Sequence, residues 1–121
     1  MTVTDAIRLA DLTRPNELDR ELKLRWLSGL DGRLNAEVLA PHGNAVELSP
    51  YSQQTPPKTE LLVPWPYDDI YVRYLVMMID FENGEFARYN NDAAAFNRIW
   101  QSWAGFYTHN HSPAARTALQ F

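Results

Sequence analysis

The chain has 121 residues, 45% of them apolar, a formal net charge of −4 and no cysteine. That length fits one domain with a modest core. The acidic balance, with eleven basic residues scattered rather than clustered, excludes a nucleic-acid reader built on a basic face. The missing thiols exclude disulfides, thiolate metal sites and a cysteine nucleophile.

The first predicted helix covers about 3–12. Thr2 or Thr4 caps it, and Asp5 sits in the first turn, where a carboxylate suits the helix dipole. Val3, Ala6, Ile7 and Ala10 form a short apolar stripe, with Leu9 and Leu12 off it. So short a helix needs a packing partner. Its opening residues lack the basic leader and long apolar run of a signal peptide, and the longest apolar run, 75–79, is far below the roughly 20 residues of a membrane span. The expectation is a soluble chain with no membrane partner, made in the cytoplasm.

Pro15 breaks the chain, and a second helix is predicted over about 17–39. Leu18, Leu22, Trp26 or Leu27, Leu30, Leu34 and Val38 make its buried face; Arg20, Lys23, Arg25, Arg33 and Glu37 its wet face. Gly29 and Gly32 are unfavourable inside a helix, which points to close approach of another helix or to a kink. Pro41 and Gly43 end it.

Six of the eight prolines fall between 41 and 66. This stretch reads as a long loop or arm projecting from the bundle, with 59–63 extended and Pro64-Trp65-Pro66 closing it. Two roles are open for Trp65: docking on a neighbouring subunit, or capping its own bundle. Tryptophan enrichment at interfaces motivates the first. Trp65, Pro64, Pro66, Leu62 and Tyr51 are therefore the candidate interface residues.

Residues 61–113 hold nine of the eleven Phe and Tyr residues and three of the four Trp. A third helix is predicted over about 67–82, with Asp68 and Asp69 in its first turn and Tyr67, Ile70, Tyr71, Tyr74, Met77, Met78 and Phe81 inward. Asn83-Gly84 stops it; one kinked helix is the rival. A fourth is predicted over about 85–109, where Phe86, Tyr89, Ala93, Phe96, Trp100, Trp103 and Tyr107 step by 3 and 4 along one seam. Asn90 and Asn97 beside that seam either fix register through buried hydrogen bonds or form a polar edge. The tail at 112–121 is expected to be loosely held.

No motif demands catalysis. His109 and His111 are two apart, so they point to different helix faces and read as a polar helix end rather than a metal site. Asp80, Glu82 and Glu85 lack the spacing of an EF-hand and read as a solvated turn. No nucleophile elbow, phosphate loop or zinc-protease motif is present. The expectation is no enzyme, no cofactor, no metal and no small-molecule substrate.

The segments RWLSGLDGRL at 25–34, ELLVPWPYD at 60–68, IDFENGEFARYNN at 79–91 and FYTHNHSP at 106–113 resemble a family of small proteins from tailed bacteriophages and prophages. The resemblance covers most of the chain apart from 40–59 and the last eight residues. Genes of that family lie in the head-morphogenesis block, and their products resemble head-to-tail connector (adaptor, head-completion) proteins. Such proteins are helical and form rings of about a dozen copies under the portal. The resemblance implies a homo-oligomeric ring, portal and tail proteins as partners, a place in the virion after assembly in the host cytoplasm, and no catalytic residues. DNA would pass without sequence-specific binding, repelled by the net negative charge. The rival readings are another phage assembly factor, such as a tail-completion protein or chaperone, and a helical protein-binding domain with no virion role. The expected fold is an all-α, four-helix bundle carrying a Pro-rich loop.

Overall fold

The computed structural model describes residues 1–111, so the expected tail at 112–121 lies outside the described residues. The fold is all-α: α1 (Val3–Thr13), α2 (Arg20–Leu34), α3 (Asp69–Glu82) and α4 (Phe86–His111). Among the described residues the only β pairing is a single antiparallel bridge between Thr2 and Glu60.

Thr2 caps α1, its hydroxyl accepting from the Asp5 amide at 3.1 Å. The Val3, Ala6, Ile7, Ala10 stripe is buried as predicted, and Leu12, off the stripe, is exposed. After Pro15, the Asn16 side chain accepts from the Leu18 amide (3.0 Å) and donates to Asp11 (2.9 Å). That local bond competes with helical geometry, so α2 starts at Arg20 instead of residue 17.

On α2 the inward face is Lys23, Leu24, Leu27, Leu30, Asp31, Leu34 and, just beyond, Val38; of the pair Trp26 or Leu27, Leu27 is the core residue. Lys23, expected on the wet face, is buried because it meets Asp11 of α1, with Nζ 2.9 Å from the carboxylate. The expected helix end holds, but through wider and then tighter turns. A π turn covers Asn35–Leu39 and a 3-10 turn Ala40–His42. Pro41 has no N–H for the Glu37 carbonyl and its ring crowds that group. The Ala40 amide reaches back to Asn35 instead, and Gly43 closes the end at φ +75°.

Within this chain nothing requires Gly29 or Gly32: α2 runs through both, and a methyl group on either would meet nothing within 4 Å. Gly29→Ala and Gly32→Ala are therefore each expected to raise stability by about 1 kcal/mol, read by urea unfolding. A loss at either position would mean that the glycine faces a partner outside this chain.

α3 is the central helix, touching α1, α2 and α4. Its buried set includes Val72, Leu75, Val76 and Ile79 besides Ile70, Tyr71 and Met77, while Phe81 is exposed. The single inward stripe expected from the sequence is too narrow for a helix with neighbours on three sides. α3 and α4 are separate helices, as predicted. Gly84 turns the chain at φ +72°, and the Gly84 and Glu85 amides bond the carbonyls of Phe81 (3.1 Å) and Asp80 (2.8 Å). The α4 seam buries Phe96, Trp103 and Tyr107, half-buries Tyr89, Ala93 and Trp100, and leaves Phe86 exposed. Phe96 packs on Tyr74, Trp103 on Tyr67, and the Arg33 guanidinium of α2 lies 4.9 Å from the Trp100 ring centre. Asn90 and Asn97 are exposed and form a polar edge.

Candidate functional site

The long Pro-rich segment does not project from the bundle; it is strapped to it. Three residues spaced 3 and 4 apart hold it: Ser28 and Asp31 of α2 and Asn35 in the π turn that follows. Asn35 bonds both backbone groups of Val46, at 2.8 and 2.9 Å. Ser28 Oγ accepts from the Tyr51 amide at 2.6 Å. Further on, residues 59–61 pair with 1–3 through Val3 N–H to Thr59 O and Leu61 N–H to Met1 O, both 3.0 Å, and Leu61 and Val63 enter the core.

Asp31 is the centre of the strap. It is fully buried (0% exposed). Its Oδ2 accepts from the Tyr51 hydroxyl (2.6 Å) and the Leu62 amide (3.2 Å), and its Oδ1 accepts from the Tyr71 hydroxyl (2.6 Å). Tyr71 Oη in turn accepts from the Val63 amide at 2.7 Å. Burial pushes the Asp31 carboxyl above the usual carboxylate range, although the three donors pull the other way. Burial and the neighbouring carboxylate push both tyrosine hydroxyls up, so they remain donors. One carboxylate thus joins α2, α3 and two points of the strap.

Immediately beyond Val63 the chain turns outward. The Tyr67 amide bonds the Pro64 carbonyl at 2.9 Å, closing a turn that contains the cis Trp65–Pro66 peptide. The turn lifts Trp65 into solvent at 81% exposure, so the alternative role as a cap on its own bundle is overturned. Pro64 and Pro66 are exposed beside it. Tyr67 roots the turn, packing on Trp103 (5.5 Å) and on the 45%-exposed Phe106 (5.0 Å) of α4. The candidate surface is therefore Pro64, Trp65 and Pro66 with Phe106 alongside. Leu62 and Tyr51 belong to the strap: both bond Asp31 and are partly buried.

Several of the other residues weighed from the sequence are held by structural contacts, while Glu82, Glu85 and His109 are exposed. Asp68 pairs with the Met1 ammonium group (3.4 Å) and Asp69 with Arg73 one turn on (3.1 Å). His111 stacks on Tyr107 with ring centres 3.9 Å apart, and His42 lies against the same tyrosine at 5.4 Å. Among the described residues no group of three or more His, Cys, Asp or Glu side chains is placed to hold a metal ion. An open groove of about 600 Å³ lies between the start of α2 and the strap, lined by Asp19, Glu21, Leu22, Arg25, Tyr51 and Ser52. No unpartnered buried polar atom belongs to a residue lining it. Asp80 is not part of a solvated turn: it is 1% exposed and pairs with Arg14 at the end of α1 (3.1 Å).

Sequence reasoning missed Asp31, Arg14 and Asp92. A signal for the first was present: Ser28, Asp31 and Asn35 recur at spacings of 3 and 4 beside the leucine face of α2. No helix of the described residues is long and apolar enough to cross a membrane. No family model matches the chain, and neither a curated protein nor a solved structure shows significant similarity to it.

Proposed function

We propose that this protein is a structural assembly subunit, a head-to-tail connector of a tailed bacteriophage that forms a ring of identical copies between portal and tail. The observation that carries the reading is Trp65: a large aromatic side chain at 81% exposure, on a turn held to the bundle on both sides. A docking residue presented on ordered backbone loses little conformational freedom on binding, and tryptophan is the residue type most enriched at interface hot spots. The resemblance of four segments to tailed-phage head-morphogenesis proteins supplies the setting. Action would be steric and electrostatic. Copies dock through the Pro64–Trp65–Pro66 turn in a head-to-tail contact that closes into a ring. The net charge of −4 per subunit repels passing DNA.

The test is solution mass by light scattering over a range of concentrations, with negative-stain images of any large species. Rings of about a dozen subunits, alone or on addition of portal or tail protein, are the expected result. A strict monomer at every concentration, with portal and tail proteins present, would overturn the proposal.

A further inference from the structure

The end of the α3–α4 hairpin nearest α1 contains three charges that the docking surface does not use. Arg14, the residue that ends α1, places Nε 3.1 Å from Asp80 Oδ1 of α3 and Nη2 3.7 Å from Asp92 Oδ1 of α4. With both acids ionised the cluster carries one net negative charge in a largely buried corner, where Asp80 is 1% exposed. The remaining oxygens, Asp80 Oδ2 and Asp92 Oδ2, are both buried and neither has a hydrogen-bond donor. A buried carboxylate oxygen without a donor is strongly unfavourable. The two carboxyls sit on the same guanidinium, at 3.1 and 3.7 Å, which sets them side by side. One proton answers both oxygen vacancies, because a protonated carboxyl becomes a donor while its neighbour stays an acceptor; Arg14 Nε, also buried without a hydrogen-bond partner, holds Asp80 as an ion pair alone.

We propose that Asp92 is protonated in the folded protein and donates to Asp80, so that Arg14, Asp80 and Asp92 form a neutral, proton-dependent clamp joining the end of α1 to the α3–α4 hairpin. The groups facing Asp92 are Arg14 from α1 and Asp80 and Arg73 from α3; Arg88 lies one turn earlier on α4 itself. Burial acts first, and Asp80 next, to raise the Asp92 carboxyl to about 6; Arg14 and Arg73 oppose this without cancelling it. The sign follows from linkage. The folded state holds this proton more tightly than the unfolded chain, so the clamp is at full strength below the ordinary carboxyl range and weakens as pH rises through about 6. The ring contacts of Phe81 with Phe86 and Tyr89 join α3 to α4 at this same end.

Carboxyl-carbon NMR titration of the full chain tests this directly. One aspartate, assigned to Asp92, is expected to titrate near pH 6, and Asp80→Asn is expected to move that transition to lower pH. Asp92→Asn, whose amide mimics the protonated acid, is expected to match the unmodified protein in melting temperature below about pH 3.8 and to exceed it by a growing margin up to about pH 6 and above. Amide protection in the first turns of α4, taken relative to the intrinsic exchange rate at each pH, should fall as pH rises through about 6 in the unmodified protein and stay constant in Asp92→Asn. An Asp92 that titrates near its ordinary value of 3.8, or an Asp92→Asn effect independent of pH, would overturn the clamp. The titration reads the unmodified protein, so it stands even if a variant fails to fold.

Discussion

Asp31→Ala is expected to destabilise the fold by about 3–5 kcal/mol, the range for breaking a buried charged network by removing one partner. The substitution strands three donors at once: the hydroxyls of Tyr51 and Tyr71 and the Leu62 amide. None can turn to bulk water without lifting the strap, because the carboxylate is fully buried. Against a whole-domain stability of about 5–15 kcal/mol, such a loss brings the protein close to its limit. Asp31→Asn keeps an acceptor oxygen but sets an NH2 group against incoming donors, so it should fall between. Tyr71→Phe, which removes the bond to Asp31 and the acceptor for Val63, is expected to lose about 1–3 kcal/mol. Urea unfolding gives the totals, and amide exchange gives the location. Tyr51, Leu62 and Val63 should lose protection first, while the α3–α4 hairpin keeps its own. A loss below about 1 kcal/mol for Asp31→Ala would mean that Asn35, Ser28 and the pairing with residues 1–3 hold the strap without it.

Trp65→Ala carries the second large effect, and it falls on association rather than folding. An indole that is 81% exposed contributes little to its own core. Melting of the separated subunit should shift by less than about 0.5 kcal/mol equivalent, as for other surface changes. If the turn is the subunit joint, truncation removes an anchor of the interface, and a hot-spot loss of about 2 kcal/mol or more weakens each contact about 30-fold or more. Sedimentation or light scattering at matched concentration should then show the assembly collapsing to small species. Phe106→Ala, beside it on α4, is expected to act in the same direction with a smaller effect. Assembly that persists unchanged in Trp65→Ala would move the joint elsewhere, with the exposed Phe81 and Phe86 at the far end of the hairpin the next place to look.

Much of the fold was legible because it rests on local rules. The 3 and 4 spacing of Phe96, Trp100, Trp103 and Tyr107 marks one face of α4 whatever lies opposite. Thr2 before Asp5 caps a helix by geometry within one turn. Glycine at 84 and proline at 41 act through backbone conformation alone. The exposed turn was legible in part: Trp65 between two prolines has neither helix nor sheet to bury it, whereas Leu62 and Tyr51, grouped with it in the sequence, serve the strap.

What the sequence by itself determined is the helix count, the seam of α4, the stop between α3 and α4, and the acidic, cysteine-free chemistry of the surface. These depend on period, backbone torsion and composition, which neighbours in the chain set. Only the tertiary structure decided which polar groups go inside. Lys23 is buried because Asp11 of another helix meets it; Asp31 because two tyrosines and an amide from residues 20 to 40 positions away converge on it; Asp80 because Arg14 does. A charged side chain is buried only when partners offset its desolvation, and those partners are distant in sequence. The same contacts turned the long Pro-rich segment from a free arm into a strap, and left Trp65 as its one large aromatic side chain facing outward.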